Sequence, residues 1–340
     1  GGVGGARAER VCKLYTNAGR RGRGTPACRA AQRAVAVAPF AVSVEGEVEE
    51  RACRDMAARY EAAEISVPGH TSSVQVTFVG PKKEAAGIQK PAIVLLHGFD
   101  SSALEFRRLV PLLEDDFDVY ALDVLGWGFT NSRGQDCGAS YKGSVVSAFV
   151  EDVVKGKGEG EGRQVALLGA SLGGAVAIEV AAARPDLVSQ LVLVDAQGFQ
   201  DGIGAMQYLP AWILKPLLEV LRSVPLRQAA NKMSYFNKDA FATDDALKIG
   251  RLHCFKDDWL DANQSFIKSG GFSVSAKIPT LTQPALIVWG DQDEILPKED
   301  KNKFLEAIQN SRLRIVPECG HVPHLEKAGE TAHHLKEFLK

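Results

Sequence analysis

Short apolar runs without polar interruption recur along the chain: Pro91-Ala92-Ile93-Val94-Leu95-Leu96, the stretch from Phe117 to Val124, Val165-Ala166-Leu167-Leu168, Leu191-Val192-Leu193-Val194 and Ala285-Leu286-Ile287-Val288-Trp289. Runs of this length suit strands buried on both faces, the condition of a parallel sheet covered by helices. Ser73 to Val79 instead alternates polar and apolar, the pattern of a half-exposed strand, and is expected at a sheet edge. Helical stretches such as Leu172 to Ala183 and Lys298 to Gln309 lie between the runs, so the text alternates strand and helix as a doubly wound α/β domain does. Leu313-Arg314-Ile315-Val316 adds a late strand, and His324 to Leu339 a closing helix.

The alternation fails between Gln197 and Ala276, where Pro210, Pro216 and Pro225 divide a Leu-rich, helix-prone region with no strand run. An inserted helical cap, residues 197–276, is therefore expected between core segments 61–196 and 277–340. The most apolar stretch, Tyr208 to Leu226, is broken by Lys215, Glu219 and Arg222 as well as by proline, and fails as a membrane span.

Composition changes the picture mainly at the N-terminus. With 45 % hydrophobic and 24 % charged residues in 340, the chain has the balance of an ordinary globular protein, and a net charge of −2 gives no whole-protein attraction to nucleic acid or anionic membrane. Yet the first 40 residues hold Arg7, Arg10, Lys13, Arg20, Arg21, Arg23, Arg29 and Arg33 against Glu9 alone. That composition, Gly- and Ala-rich and without a secretory apolar core, predicts an organelle-import leader within residues 1–55, cleaved between about 35 and 55. The six cysteines are scattered, without C-x-x-C or Cys/His spacing, so neither a disulfide framework nor a metal site is expected, and no cofactor.

A hydroxyl becomes a useful nucleophile only when exposed, deprotonated during attack and set beside donors for the oxyanion. Gly169-Ala170-Ser171-Leu172-Gly173 follows the strand run ending at Leu168 and opens a helix, so a sharp turn presents Ser171 while small neighbours make room for it. His97-Gly98-Phe99-Asp100 follows the strand ending at Leu96, where the second oxyanion donor belongs; the backbone N–H groups of Phe99 and Leu172 are the expected pair. The acid and base should follow the nucleophile in chain order, each after a strand. Asp293 in Gly290-Asp291-Gln292-Asp293 and His321 in Gly320-His321 satisfy this, while Asp291 suits a turn. His97 is expected to be structural, His324 structural or pocket-lining, and Cys319 a buried thiol.

Together, H-G-F at 97–99, D-V-L-G-W-G-F-T at 123–130, G-A-S-L-G-G at 169–174, G-D-Q-D-E-I-L-P at 290–297 and G-H-V-P-H-L-E at 320–326 resemble the α/β-hydrolase superfamily over about residues 61–340. The resemblance implies a mostly parallel eight-stranded sheet with helices on both faces, a Ser171–Asp293–His321 triad, and a structural turn at Asp123 and Gly128. Ala328 departs from the pattern, since many members place Pro after the Glu. Arg251-Leu252-His253-Cys254 with Ser269-Gly270-Gly271-Phe272 resembles a plant and algal plastid-type group of these hydrolases.

Ser at 171, where dehalogenases and epoxide hydrolases of the superfamily carry Asp, points to acyl transfer to water. The leading expectation is a carboxylic-ester hydrolase working through an acyl-enzyme on a small-molecule or lipid-like ester, possibilities including an isoprenoid-alkyl ester. Trp212, Ile213, Leu217, Leu218, Leu221 and Phe236 of the cap are candidates for an apolar pocket or for the cap's own core. Relatives with the same triad imply two alternatives, hydrolysis of a carbon–carbon bond in a dienone-like acid and a small-molecule receptor that retains the triad.

Overall fold

A computed structural model of the chain describes residues 35–36, 48–82, 90–156 and 163–340; the leader expected within residues 1–55 lies largely outside them. Nine strands form one sheet: β1 (Val35–Ala36), β2 (Tyr60–Ser66), β3 (Ser73–Val79), β4 (Ala92–Leu96), β5 (Asp118–Leu122), β6 (Val165–Ala170), β7 (Gln190–Val194), β8 (Ala285–Gly290) and β9 (Ser311–Val316). Their spatial order is β1-β2-β3-β5-β4-β6-β7-β8-β9, parallel from β5 through β9, with β3 antiparallel to both β5 and β2. The eight longer strands match the sheet expected from sequence, and β1 adds a two-residue pairing at its edge.

The uninterrupted apolar runs have a direct cause, because alternate residues of each central strand feed two separate cores. Val94, Leu96, Leu167, Leu193 and Ile287 face one layer, against α3 (Ala139–Phe149), α4 (Leu172–Ala183) and α9 (Asp300–Ala307). Ile93, Leu95, Leu168, Val192 and Val288 face the other, against α1 (Arg51–Ala57), α2 (Val110–Leu113) and α10 (Ala328–Leu339). Within the middle of these strands both faces are apolar, and the polar Gln190 stands at the start of β7.

Three expectations are corrected. Ser73–Val79 is not an edge strand: β2 and β1 lie outside it, and of its polar positions Thr77 is buried because its hydroxyl donates to Asp123 Oδ2 at 2.7 Å. The folded unit also starts before residue 61. Cys53, Met56 and Ala57 of α1 are buried, and Glu50 bridges Arg107 (2.9 Å) and Arg108 (2.7 Å). The closing helix is two pieces, Pro323–Glu326 and α10, broken at Lys327, whose φ of −127° and ψ of 46° leave the helical region.

Between β7 and β8 the described residues form helices and turns without a strand. Proline sets the starts of two of them: Pro210 precedes α5 (Ala211–Leu221), and Pro225 occupies the first turn of α6 (Val224–Ser234), where a missing N–H costs nothing. α7 (Asp244–Ile249) and α8 (Trp259–Lys268) follow. Leu214 and Leu218, one turn apart on α5, pack with Trp259, Ile267 and Cys254 into a small core that belongs to this insertion alone.

Candidate active site

β6 ends at Ala170 and α4 begins at Leu172, leaving Ser171 between them with φ 52° and ψ −123°. A non-glycine residue in this region stores about 1–3 kcal/mol of strain, which persists only if its surroundings enforce it. Here the Ser171 N–H donates to the Val194 carbonyl (3.0 Å), and its own carbonyl accepts from Gly174 (2.9 Å) and Gln197 (2.8 Å). The neighbouring glycines make the turn sterically feasible. A Cβ at Gly169 would stand 2.3 Å from the Gly173 carbonyl oxygen, and one at Gly173 would stand 2.1 Å from that of Leu96. Gly173→Ala must therefore push the elbow off β4, and we expect it to lose about 3 kcal/mol or more of stability in urea titration, together with activity. Wild-type stability would refute the packing account.

Register brings the second loop alongside, because Leu96 of β4 pairs with Gly169 of β6. The Cβ position of Gly98 lies 3.2 Å from Ser171 Cβ. Among the described residues neither the Phe99 nor the Leu172 N–H donates to a protein acceptor. His97 is structural, as expected: the Val124 N–H donates to its Nε2 (3.1 Å), so Nδ1 carries the proton and donates to the Gly98 carbonyl (2.8 Å). Burial lowers the His97 pKa, in keeping with that neutral tautomer. His324 is also buried and meets Glu105 (2.9 Å), whose other oxygen accepts from the Gly98 N–H at 3.2 Å. Burial would raise the Glu105 pKa, but the adjacent His324 prevails and holds it down at about 2.

Asp293 and His321 occupy loops after β8 and β9. A Cβ at Gly290 would fall 2.0 Å from the Gly320 carbonyl oxygen, so glycine lets these loops touch. His321 Nδ1 lies 2.9 Å from Asp293 Oδ2, while Asp293 Oδ1 accepts from the N–H groups of Ile295 (2.7 Å) and Leu296 (3.3 Å). Burial alone would raise the Asp293 pKa; the hydrogen bond and charge of His321, aided by those two N–H donors, lower it instead. Asp123 and Gly128 form the structural turn: the Asp123 carboxylate accepts from Ala103 (2.7 Å) and Phe129 (2.8 Å), and a Cβ at Gly128 would overlap it at 2.2 Å.

Sequence reasoning missed a third carboxyl group. Asp195 directly follows β7, is fully buried with φ 38°, accepts from the Gly290 N–H (3.1 Å), and lies with ligand atoms within 4.8 Å of both Asp293 and His321. Burial first, and then the charge of Asp293, push its pKa well up. The available signal was an acid placed immediately after an apolar strand, at the same sheet end as Ser171.

Ser171 and His321 line one cavity of about 340 Å³ with Gly98 and Phe99, within the usual range for small-molecule sites. Its apolar walls come from Leu221, Leu226, Ile249, Ile295 and Leu325. Of the six candidates on the insertion, Leu221 alone lines it. Leu218 is in the insertion's own core, Ile213 lies outside the lining, and Trp212 (76 % exposed), Leu217 and Phe236 face solvent. Trp212 falls on the α5 face opposite Leu214 and Leu218. Cys319 is buried, and burial raises its thiol pKa, as an inert core cysteine requires.

The fold and the strained serine at a strand-to-helix turn define a hydrolase of the α/β class. The Alpha/beta hydrolase family model matches residues 93–334, and the chain belongs to that family. Among its relatives, the "Alpha/beta hydrolase domain-containing protein VTE7" of Arabidopsis thaliana is 36 % identical over 251 residues, covering 73 % of this chain and 74 % of the relative. A "2-hydroxy-6-oxononadienedioate/2-hydroxy-6-oxononatrienedioate hydrolase" of Paraburkholderia xenovorans is 26 % identical, covering 75 % and 88 %. A thermophilic esterase from Thermogutta terrifontis superposes with a TM-score of 0.67 over 82 % of this chain and 97 % of its own at 17 % identity, a likeness of fold.

Proposed function

We propose that the protein is a serine hydrolase that cleaves a carboxylic ester with an apolar acyl or alkyl group through an acyl-enzyme. The observation that carries this reading is Ser171, held in a strained turn within the same cavity as a histidine tied to a buried carboxylate. In the mechanism, His321 takes the Ser171 proton as Oγ attacks the ester carbonyl, and Asp293 fixes its tautomer and stabilises the imidazolium. The N–H groups of Phe99 and Leu172 receive the oxyanion. His321 then protonates the leaving alcohol, and water repeats the sequence to release the acid. The helical insertion serves as a cap that sets chain-length preference, through Leu221 and Leu226.

The dienedioate hydrolase among the relatives makes carbon–carbon cleavage the alternative. The cavity disfavours a dianion, because its cations Arg107 and Arg227 are already paired with Glu50 and Asp100. A basic, acid-poor stretch in the first 40 residues and a relative from a plant support import into a plastid. A fluorophosphonate should label Ser171, as mapped by peptide mass. Turnover of p-nitrophenyl esters from acetate to hexadecanoate should rise with chain length beyond acetate. A vinylogous diketone cleaved faster than every ester, or tight binding without turnover, would replace this reading.

A further inference from the structure

The buried charged group at the insertion is not used by the triad chemistry. Asp100 immediately follows Phe99, is 1 % exposed and holds φ 48°, a left-handed conformation that a non-glycine residue keeps only under constraint. The constraint comes from the insertion. Asp100 Oδ1 accepts from Trp259 Nε1 at 2.7 Å and faces His253 Nε2 at 2.9 Å; Arg227 donates to Oδ2 and also, at 3.1 Å, to the Asp100 backbone carbonyl. Burial would favour neutral forms, but the pairing overcomes it, holding Asp100 down at about 2 and His253 up at about 9. A second contact is independent of charge: the Phe99 ring packs edge-on against Trp127 (centroids 5.3 Å) and lies tilted against Phe266 (6.2 Å), which shares α8 with Trp259.

We propose that Asp100 is a positioning residue for the oxyanion site, transmitting the seating of the helical insertion to the Phe99 N–H. The inference rests on the serine-hydrolase reading above. The Phe99 N–H belongs to the Gly98–Phe99 peptide, whose Gly98 carbonyl accepts from His97 Nδ1 at 2.8 Å. The clasp on Asp100 fixes the other side of Phe99, and with Asp100 unclasped its left-handed φ is free to relax, moving the Phe99 Cα and tilting that peptide away from the serine. The site is thus completed by residues about 130 to 160 positions later in the chain. Asp100, His253 and Cys254 also have metal-ligand geometry, but the Arg227 guanidinium, 3.2 Å from Cys254 Sγ, fills the place of a cation.

The test compares wild type with Asp100→Asn and with Arg227→Met, which keeps the carboxylate held by His253 and Trp259 and guards against a failure of the first variant to fold. Three quantities are measured on an ester that wild type turns over: kcat and KM, affinity for an alkyl boronic acid that becomes tetrahedral on Ser171, and affinity for an alkyl ether lacking the carbonyl. Loss of one oxyanion donor costs about 10²–10³ in kcat, so a misplaced donor should lower kcat by about 10–100-fold with KM within about twofold. Boronate affinity should fall with kcat/KM; ether affinity should hold in Asp100→Asn, and in Arg227→Met, whose side chain borders the cavity, it should fall far less than boronate affinity. Wild-type kcat in either folded variant, or equal loss of boronate and ether affinity, overturns the proposal. Full activity in Ser171→Ala overturns the hydrolase reading and this inference with it, so the two failures are told apart.

Discussion

Ser171→Ala should reduce kcat/KM for ester hydrolysis by about 10⁴–10⁶-fold while leaving the thermal midpoint close to wild type. The size of the loss follows from the chemistry assigned to the cavity. With no Oγ there is no acyl-enzyme, and what remains is water attack assisted by oxyanion donors and by binding. Stability should hold because alanine keeps the Cβ, and the hydrogen bonds that enforce φ 52° use backbone atoms only. Residues that act as one unit are not additive, so adding His321→Ala should lower the rate little further. Stopped assays with the purified variants, beside circular dichroism for folding, read both quantities. Retention of more than about a tenth of wild-type turnover would remove Ser171 from the mechanism.

A large stability effect that changes sign with pH is expected at Lys142. Its side chain is fully buried on α3, donates to the Leu125 carbonyl and stands 3.7 Å from the centre of the Trp127 ring. Burial pulls the amine from its ordinary 10.5 down to about 7. The unfolded chain therefore holds a proton that the folded chain has shed between those values, and stability rises with pH across that window. Below pH 7 the whole penalty applies, on the order of 5 kcal/mol at 1.36 kcal/mol per unit. Lys142→Met removes the penalty but leaves the Leu125 carbonyl without its donor, at about 1–3 kcal/mol. The methionine variant should accordingly be more stable than wild type by about 2–4 kcal/mol at pH 6, and less stable at about pH 10. Urea titrations at the two pH values give the difference; an unchanged sign would show that the amine is not desolvated as described.

Much of this architecture is legible in the sequence wherever one local condition decides the outcome. The central strands read as unbroken apolar runs because both faces are buried, and the turn at Ser171 reads from glycines whose replacement would drive a Cβ into backbone. Asp293 and His321 follow from chain order and strand ends. What stayed hidden depends on partners remote in sequence. Thr77 marks a wet face only until Asp123 accepts its hydroxyl, and Tyr60-Glu61-Ala62-Ala63-Glu64-Ile65-Ser66 carries too little apolar rhythm to announce β2. Asp195 and Asp100 look like turn residues, and Lys142 like a surface cation, until the fold surrounds them.

The Glu50 fork sets a limit on how far the chain can be trimmed. Arg107 is 3 % exposed, and its guanidinium is neutralised from outside its own helix-and-loop region by this one carboxylate, which also serves Arg108. Truncation on the C-terminal side of Glu50 would strand a desolvated guanidinium at a cost of about 3–5 kcal/mol. Arg107 also borders the cavity, so the same cut would place an uncompensated positive charge against the substrate. Of the cleavage window proposed between residues 35 and 55, then, only the portion ahead of Glu50 leaves this fork whole.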